Sequence, residues 1–242
     1  MLIRRNVLAT VALTAVLGVV SVSCASGAGQ VTYFDPAAVV LERIIPPPPA
    51  EGSMAERAEL DEMLGIQAER TAAQVDRAQH DAKIGIFQLT EALGAPAELS
   101  AARLPRFVAF FDKVRDAEGA VVRSAKHSFD RKRPTEIEPR LKPVIDVPSS
   151  EAYPSGHATW AFAAAFVLAD MVPEKRAAIL TRATEFSNNR VVAGVHYRSD
   201  VEAGRICGSV LAAFLFASPE FRAEENLAAV ELRTALKLPP LH

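Results

Sequence analysis

The chain has 242 residues, half of them hydrophobic and 23% charged, with a formal net charge of -2. That balance supports one well-buried domain and excludes a disordered polypeptide. It also excludes a global basic field able to hold a nucleic-acid backbone, so no polynucleotide partner is expected.

Arg4 and Arg5 precede an apolar run from Val7 to Val20, and small residues follow at Ser21, Ser23, Ala25 and Ala28. This is the pattern of an export signal, so residues 1–28 are expected to be a leader and 29–242 a single domain, periplasmic or secreted. The run is shorter than the ~20 residues that span a bilayer, which argues against a retained anchor. Cys24 leaves a lipid-anchored alternative, with Ser21 standing where a lipoprotein leader prefers a large aliphatic residue. Without Cys24, Cys207 has no partner and reads as a small buried hydrophobe; there is no disulfide framework and no zinc spacing.

Pro46 to Pro49 cannot be helix or central strand and should form an extended surface strap. Ser53 and Glu56 make a capping box for a helix running towards His80. Ile84 to Leu93 continues helical until Gly94-Ala95-Pro96. Leu104, Phe107, Val108, Phe111, Val114, Val121, Val122, Ala125 and Phe129 have the spacing of a long amphipathic helix, which Pro134 should end. Glu136 to Tyr153, with Pro139, Pro143 and Pro148, reads as a long loop, of the kind that is either functional or disordered. Gly156 to Met171 is apolar nearly all round, the pattern of a central buried helix. A helix from Pro173 to about Ser187, one from Asp200 to Phe216 and a last one opened by Ser218-Pro219-Glu220 complete the chain. With no alternating strands and no repeat, the fold class is all-α, a compact bundle around the buried helix.

Three phrases carry the chemistry. Lys126 and Arg133 are seven residues apart, two helical turns, which on one helix places both on the same side about 10 Å apart. Arg123, Arg131 and Lys132 read as solvated helix cations. Pro154-Ser155-Gly156-His157 opens the most apolar helix. There Ser155 is a plausible N-cap, Gly156 admits close approach, and the Gly156 and His157 N–H groups can face an anion. Arg190 adds a third cation, and Asp200, four residues after His196, can orient that imidazole. Each phrase alone is also ordinary: a solvated charge, a helix cap, a capping aspartate. Their joint order favours a site for a tetrahedral oxyanion.

These phrases resemble the K-x6-R-P, P-S-G-H, S-R-x5-H-x3-D signature of the type 2 phosphatidic acid phosphatase superfamily, which includes vanadium haloperoxidases. The proline strap, Arg123-Ser124-Ala125-Lys126, Tyr153 and Ser199-Asp200-Val201 resemble its class A bacterial non-specific acid phosphatases, from about Ile45 onward. One position departs: Asn189 stands where the family has Ser, with an amide that can still reach a phosphate oxygen. The resemblance implies a metal-independent, cofactor-free phosphatase acting on small phosphate monoesters. It implies that Lys126, Arg133, Ser155, Gly156 and Arg190 bind phosphate, that His196 attacks phosphorus oriented by Asp200, and that His157 protonates the leaving alcohol. It further implies a bell-shaped pH profile on the acid side and self-association into a homo-oligomer. Phosphotransfer to alcohols or nucleosides, lipid phosphate hydrolysis, vanadate-dependent halide oxidation and silent phosphate binding are the alternatives. Walls for the leaving group are expected from the Glu136–Tyr153 loop, Phe129 and Tyr197.

Overall fold

The computed structural model describes residues 33–94 and 98–241. The expected leader, Cys24 and the Ala95-Pro96 break lie outside those residues. Among the described residues the fold is all-α, with short 3-10 turns and no strand.

Helix α6 (Gly156–Met171) is the centre. Ala158 to Ala165 are all buried, as are Val167 to Ala169 and Met171, so the helix presents no solvent face. It packs against α4 (Pro105–Phe129), α7 (Arg176–Val192), α8 (Arg198–Ala217) and α9 (Pro219–Ala235). The closest of these approaches is to α8, where two glycines remove the obstacle. A Cβ on Gly204 would lie 2.6 Å from the Ser155 carbonyl oxygen, and one on Gly208 2.5 Å from that of Thr159. Small residues on both helices bring the backbones together and align their N-terminal ends, which carry the two histidine phrases. Cys207, between these glycines, is a buried free thiol, as its setting predicts.

Helix α4 buries Phe107, Phe110, Phe111, Val114, Val121, Val122 and Ala125, a 3–4 residue spacing that lays one apolar face on the core. It ends at Phe129 rather than at Pro134. Asp130 adopts the left-handed conformation (φ 46°) and caps it, an aspartate being one of the few side chains that tolerate that region. Residues 131–133 then run extended, and Pro134 opens a further short helix, α5 (Pro134–Ile137), inside what reads as loop.

The helix expected from Ser53 to His80 is two, α1 (Met54–Glu69) and α2 (Ala72–His80), because Arg70 turns extended and Thr71 caps the second with its own capping box. Ile84–Leu93 shortens likewise to α3 (Ile86–Thr90) and a 3-10 turn. In contrast α7 runs to Val192, beyond the expected Ser187, and α8 starts at Arg198. The proline strap is extended and held by the Tyr153 hydroxyl, which donates to the Pro46 carbonyl. Among the described residues no single helix is long and apolar enough to cross a membrane; only α8 and α9 taken together across a 97° bend have the length and composition.

Candidate active site

The ends of α4, α6, α7 and α8 bring the predicted residues to one place. Lys126 sits in the last turn of α4. Arg133 is not on that helix; it reaches the site from the extended segment beyond Asp130, as the residue that caps α5. The two side chains converge all the same, because both donate to the Glu151 carbonyl, Arg133 through Nη2 at 3.2 Å and Lys126 through Nζ.

Arg133 is 3% exposed and every donor it has is engaged. Nε donates to Ser150 O at 2.8 Å, Nη2 to Ser150 Oγ at 3.3 Å, and Nη1 to both Val195 O and His196 Nε2 at 2.9 Å. The last contact fixes a tautomer. A guanidinium can only donate, so His196 Nε2 accepts with its lone pair and the ring proton is on Nδ1. Nδ1 donates to Asp200 Oδ2 at 3.0 Å. His196 is thus held as the neutral form with Nε2 unprotonated. Asp200 Oδ2 also accepts from the Tyr197 N–H at 2.9 Å, so the carboxylate caps α8 and orients the imidazole at once.

Ser155 is the N-cap of α6: its Oγ accepts from Ala158 N at 3.4 Å, while its own N–H donates to the Asp200 carbonyl at 2.9 Å. Its hydroxyl proton stays available for an anion. His157, one residue into α6, donates from Nε2 to the Ala82 carbonyl at 3.0 Å and stacks on Phe186 at 5.9 Å. With Arg190 it lines a cleft of about 670 Å³ whose other walls include Gln79, Pro143, Val144, Ile145 and Pro148. The loop therefore supplies a wall as expected. Phe129 and Tyr197 do not line it: Phe129 packs edge-on to Tyr153, and Tyr197 lies beneath the Arg131 guanidinium.

Arg190 is 1% exposed, and its Nε and Nη1 have no hydrogen-bond partner among the described residues. Unsatisfied donors on a buried cation are costly and mark a place built for an anion. The electrostatics agree. Burial, reinforced by Arg133, lowers Lys126 to about 8 and Arg190 to about 10. Burial and Arg190 push His157 down to about 3, and burial with Arg133, Lys126 and Arg190 holds His196 well below the usual histidine range. Both imidazoles are neutral in this state.

Four residues depart from the sequence reading or escape it. Arg131, expected in solvent, is 7% exposed and bonds Asp200 Oδ1 at 2.6 Å. Once α4 is seen to end at Phe129, alternate residues of the extended segment share a side, so Arg131 follows Arg133 into the site. The Asn189 amide donates to Asp81 Oδ2 at 2.8 Å, not towards the cleft. Asp81, fully buried, also accepts from Arg182 Nη1 at 2.9 Å and anchors the end of α2 to α7 beside Ala82. Glu118 on α4 points its carboxylate at Gly156, 3.1 Å from where a Cβ would stand. No spacing in the sequence links Asp81 or Glu118 to the three phrases.

Fold and site together define an all-α protein that gathers buried cations around a paired histidine and aspartate. The comparisons agree. The PAP2 superfamily matches residues 117–224, which include all three phrases. A non-specific acid phosphatase of Providencia stuartii is 31% identical over 200 residues, 78% of this chain and 79% of the relative. An acid phosphatase of Zymomonas mobilis subsp. mobilis is 29% identical over 197 residues, 78% of this chain and 74% of the relative. Among solved structures, a bacterial vanadium-dependent iodoperoxidase has a TM-score of 0.58 at 21% identity, over 74% of this chain and 53% of that one. This last likeness shows the fold alone, and the chain spans about half of that protein's length. The chain belongs to the PAP2 superfamily and, within it, to the acid phosphatases.

Proposed function

We propose that the chain hydrolyses a broad range of small phosphate monoesters through a phosphohistidine on His196, without a metal ion. The observation that carries this reading is the state of His196: neutral, with its proton on Nδ1 towards Asp200 and its Nε2 lone pair beside Arg133. Phosphoryl transfer asks the protein for positioning and for charge on the equatorial oxygens, and Lys126, Arg133 and Arg190 supply three positive charges there.

In the proposed sequence the phosphate takes over the Arg133 Nη1–H and freed Lys126 donors, and Arg190 fills its two open ones. Nε2 attacks phosphorus as the P–O bond to the leaving alcohol breaks, and His157 gives that oxygen its proton. Water then attacks phosphorus, His157 takes the water proton, and the P–N bond breaks. His157 is neutral in the unliganded site, so its proton arrives with the phosphate, whose negative charge offsets Arg190. That coupling supports a bell-shaped rate profile on the acid side of neutral. The open cleft, walled by both apolar and polar side chains, suits varied leaving groups. Export through the leader at residues 1–28, with the enzyme acting in the periplasm, and self-association are part of the proposal.

The test is alkaline quenching with labelled phosphomonoester. Wild type should yield an alkali-stable, acid-labile adduct, His196→Ala should yield none and lose turnover, and a chelator should leave wild-type rates unchanged. Substantial turnover by His196→Ala would falsify the nucleophile; loss of activity in chelator would remove metal independence.

A further inference from the structure

A buried ion-pair chain behind the nucleophile lies outside the three phrases. Asp200 is fully buried. Its Oδ2 serves His196 Nδ1 and the Tyr197 N–H, and its Oδ1 takes Arg131 Nη1 at 2.6 Å. The same Arg131 Nη1 donates to Ser199 Oγ at 2.7 Å, and Nη2 to Glu59 Oε2 on α1 at 2.9 Å. Glu59 in turn accepts from the Ser199 N–H at 2.6 Å and from the Ser199 hydroxyl at 2.9 Å. The guanidinium carbon lies over the Tyr197 ring, 3.7 Å from its centroid. Arg131 is therefore clamped from α1, from the start of α8 and from beneath, with one nitrogen aimed at Asp200.

We propose that Arg131 is a positioning residue for catalysis: its Nη1 keeps the Asp200 carboxylate ionised and aimed, and through it holds His196 in the tautomer whose Nε2 can attack. This rests on the reading of His196 as nucleophile. The physical reason is the cost of an unpaired buried carboxylate. Burial raises Asp200 to about 6 even with Arg131 in place, and the Arg131 charge is the largest influence opposing that rise. Without Arg131 the carboxyl takes a proton and becomes a donor to Nδ1. The ring proton then moves to Nε2, where the attacking lone pair is lost and an N–H faces Arg133 donor to donor. A lysine keeps the charge but lacks the planar fork that reaches Asp200 and Glu59 together.

The test compares Arg131→Gln and Arg131→Lys, each alone and combined with Asp200→Asn, in the full chain. Arg131→Gln should lower kcat about 10–100-fold, the usual range for loss of a supporting hydrogen-bond partner, with KM little changed. In the Asp200→Asn background the same change should cost no more than about 2-fold, because residues acting as a unit are not additive. Nitrogen-15 shifts of the His196 ring should report the Nδ1–H tautomer in wild type and a move towards Nε2–H in Arg131→Gln. Equal fold-losses in both backgrounds, or an unmoved tautomer with wild-type kcat, would overturn the proposal. If Arg131→Gln does not fold, Arg131→Lys carries the same readings with a smaller loss. A dead His196→Ala with a normal Arg131→Gln sinks this inference alone, whereas an active His196→Ala sinks the nucleophile reading first.

Discussion

Glu118 is a carboxylate buried beside the turn that opens α6, and burial pushes it up to about 7 despite Lys126 and Arg115. Its folded value lies above the ordinary 4.5, so the folded protein binds the extra proton between those limits. The cost of the buried charge is absent below about 4.5 and complete above about 7, on the order of 3 kcal/mol from a shift of that size. Glu118→Gln should therefore melt at the wild-type temperature near pH 4.5 and higher than wild type at pH 8. A constant offset across that range, followed by calorimetry, would show that Glu118 is not the titrating group. An acid phosphatase gains from this arrangement, because the protonated carboxyl is the better tolerated form where the enzyme is expected to work. His157 opposes it: its lowered value removes stability as pH falls from the ordinary 6.5 towards about 3.

At the scale of elements, the site is set by how closely α8 lies on α6. Gly204 and Gly208 are one turn apart, and each faces backbone rather than a movable side chain. Alanine normally favours a helix interior by up to about 1 kcal/mol. Here the added methyl meets carbonyl oxygens that cannot withdraw without separating the helices, and overpacking of about 1–3 kcal/mol wins. Gly204→Ala and Gly208→Ala should both lower the urea midpoint. Only Gly204→Ala strikes the Ser155 carbonyl, so it should also reduce kcat more than Gly208→Ala at matched stability. Equal kcat in the two variants would detach helix spacing from catalysis. The same reasoning explains why α4 ends where it does. A helix continued to Pro134 would carry Lys126 and Arg133 down one face, with no route for Arg131 to Asp200. The left-handed Asp130 releases the segment so that both arginines reach inward.

For the whole molecule the dominant feature is the gathering of Lys126, Arg133 and Arg190 at one buried place. Arg190 has donors unpartnered among the described residues; burial and then Arg133 depress Lys126 and Arg190, and burial with Arg133 and Arg190 depresses both histidines. The site thus holds charge that a bound anion would offset. Inorganic phosphate at 100 times its Kd should add about 2.7 kcal/mol of stability. For a chain of this size that is roughly a 5–10 °C rise in Tm. Arg190→Met should melt no lower than wild type without phosphate, because it removes a buried unpaired charge, yet lose most of the phosphate-induced rise. A clear drop in the phosphate-free Tm would mean that Arg190 is structural.

The sequence by itself determined the all-α class, the central buried helix and the residues that gather at the site. These are readable because helical periodicity and capping are local, and because each cation or imidazole carries its chemistry in its own side chain. Tertiary structure alone decided which donors are already spent and which remain open. Arg133 is saturated by carbonyls from residues 150, 151 and 195 while Arg190 is not. Asn189 serves Asp81 rather than the cleft, and Arg131 is a buried partner of Asp200 rather than a solvated charge. Hydrogen-bond satisfaction and desolvation depend on groups distant along the chain, such as Glu59 and Asp81, and no local pattern encodes them.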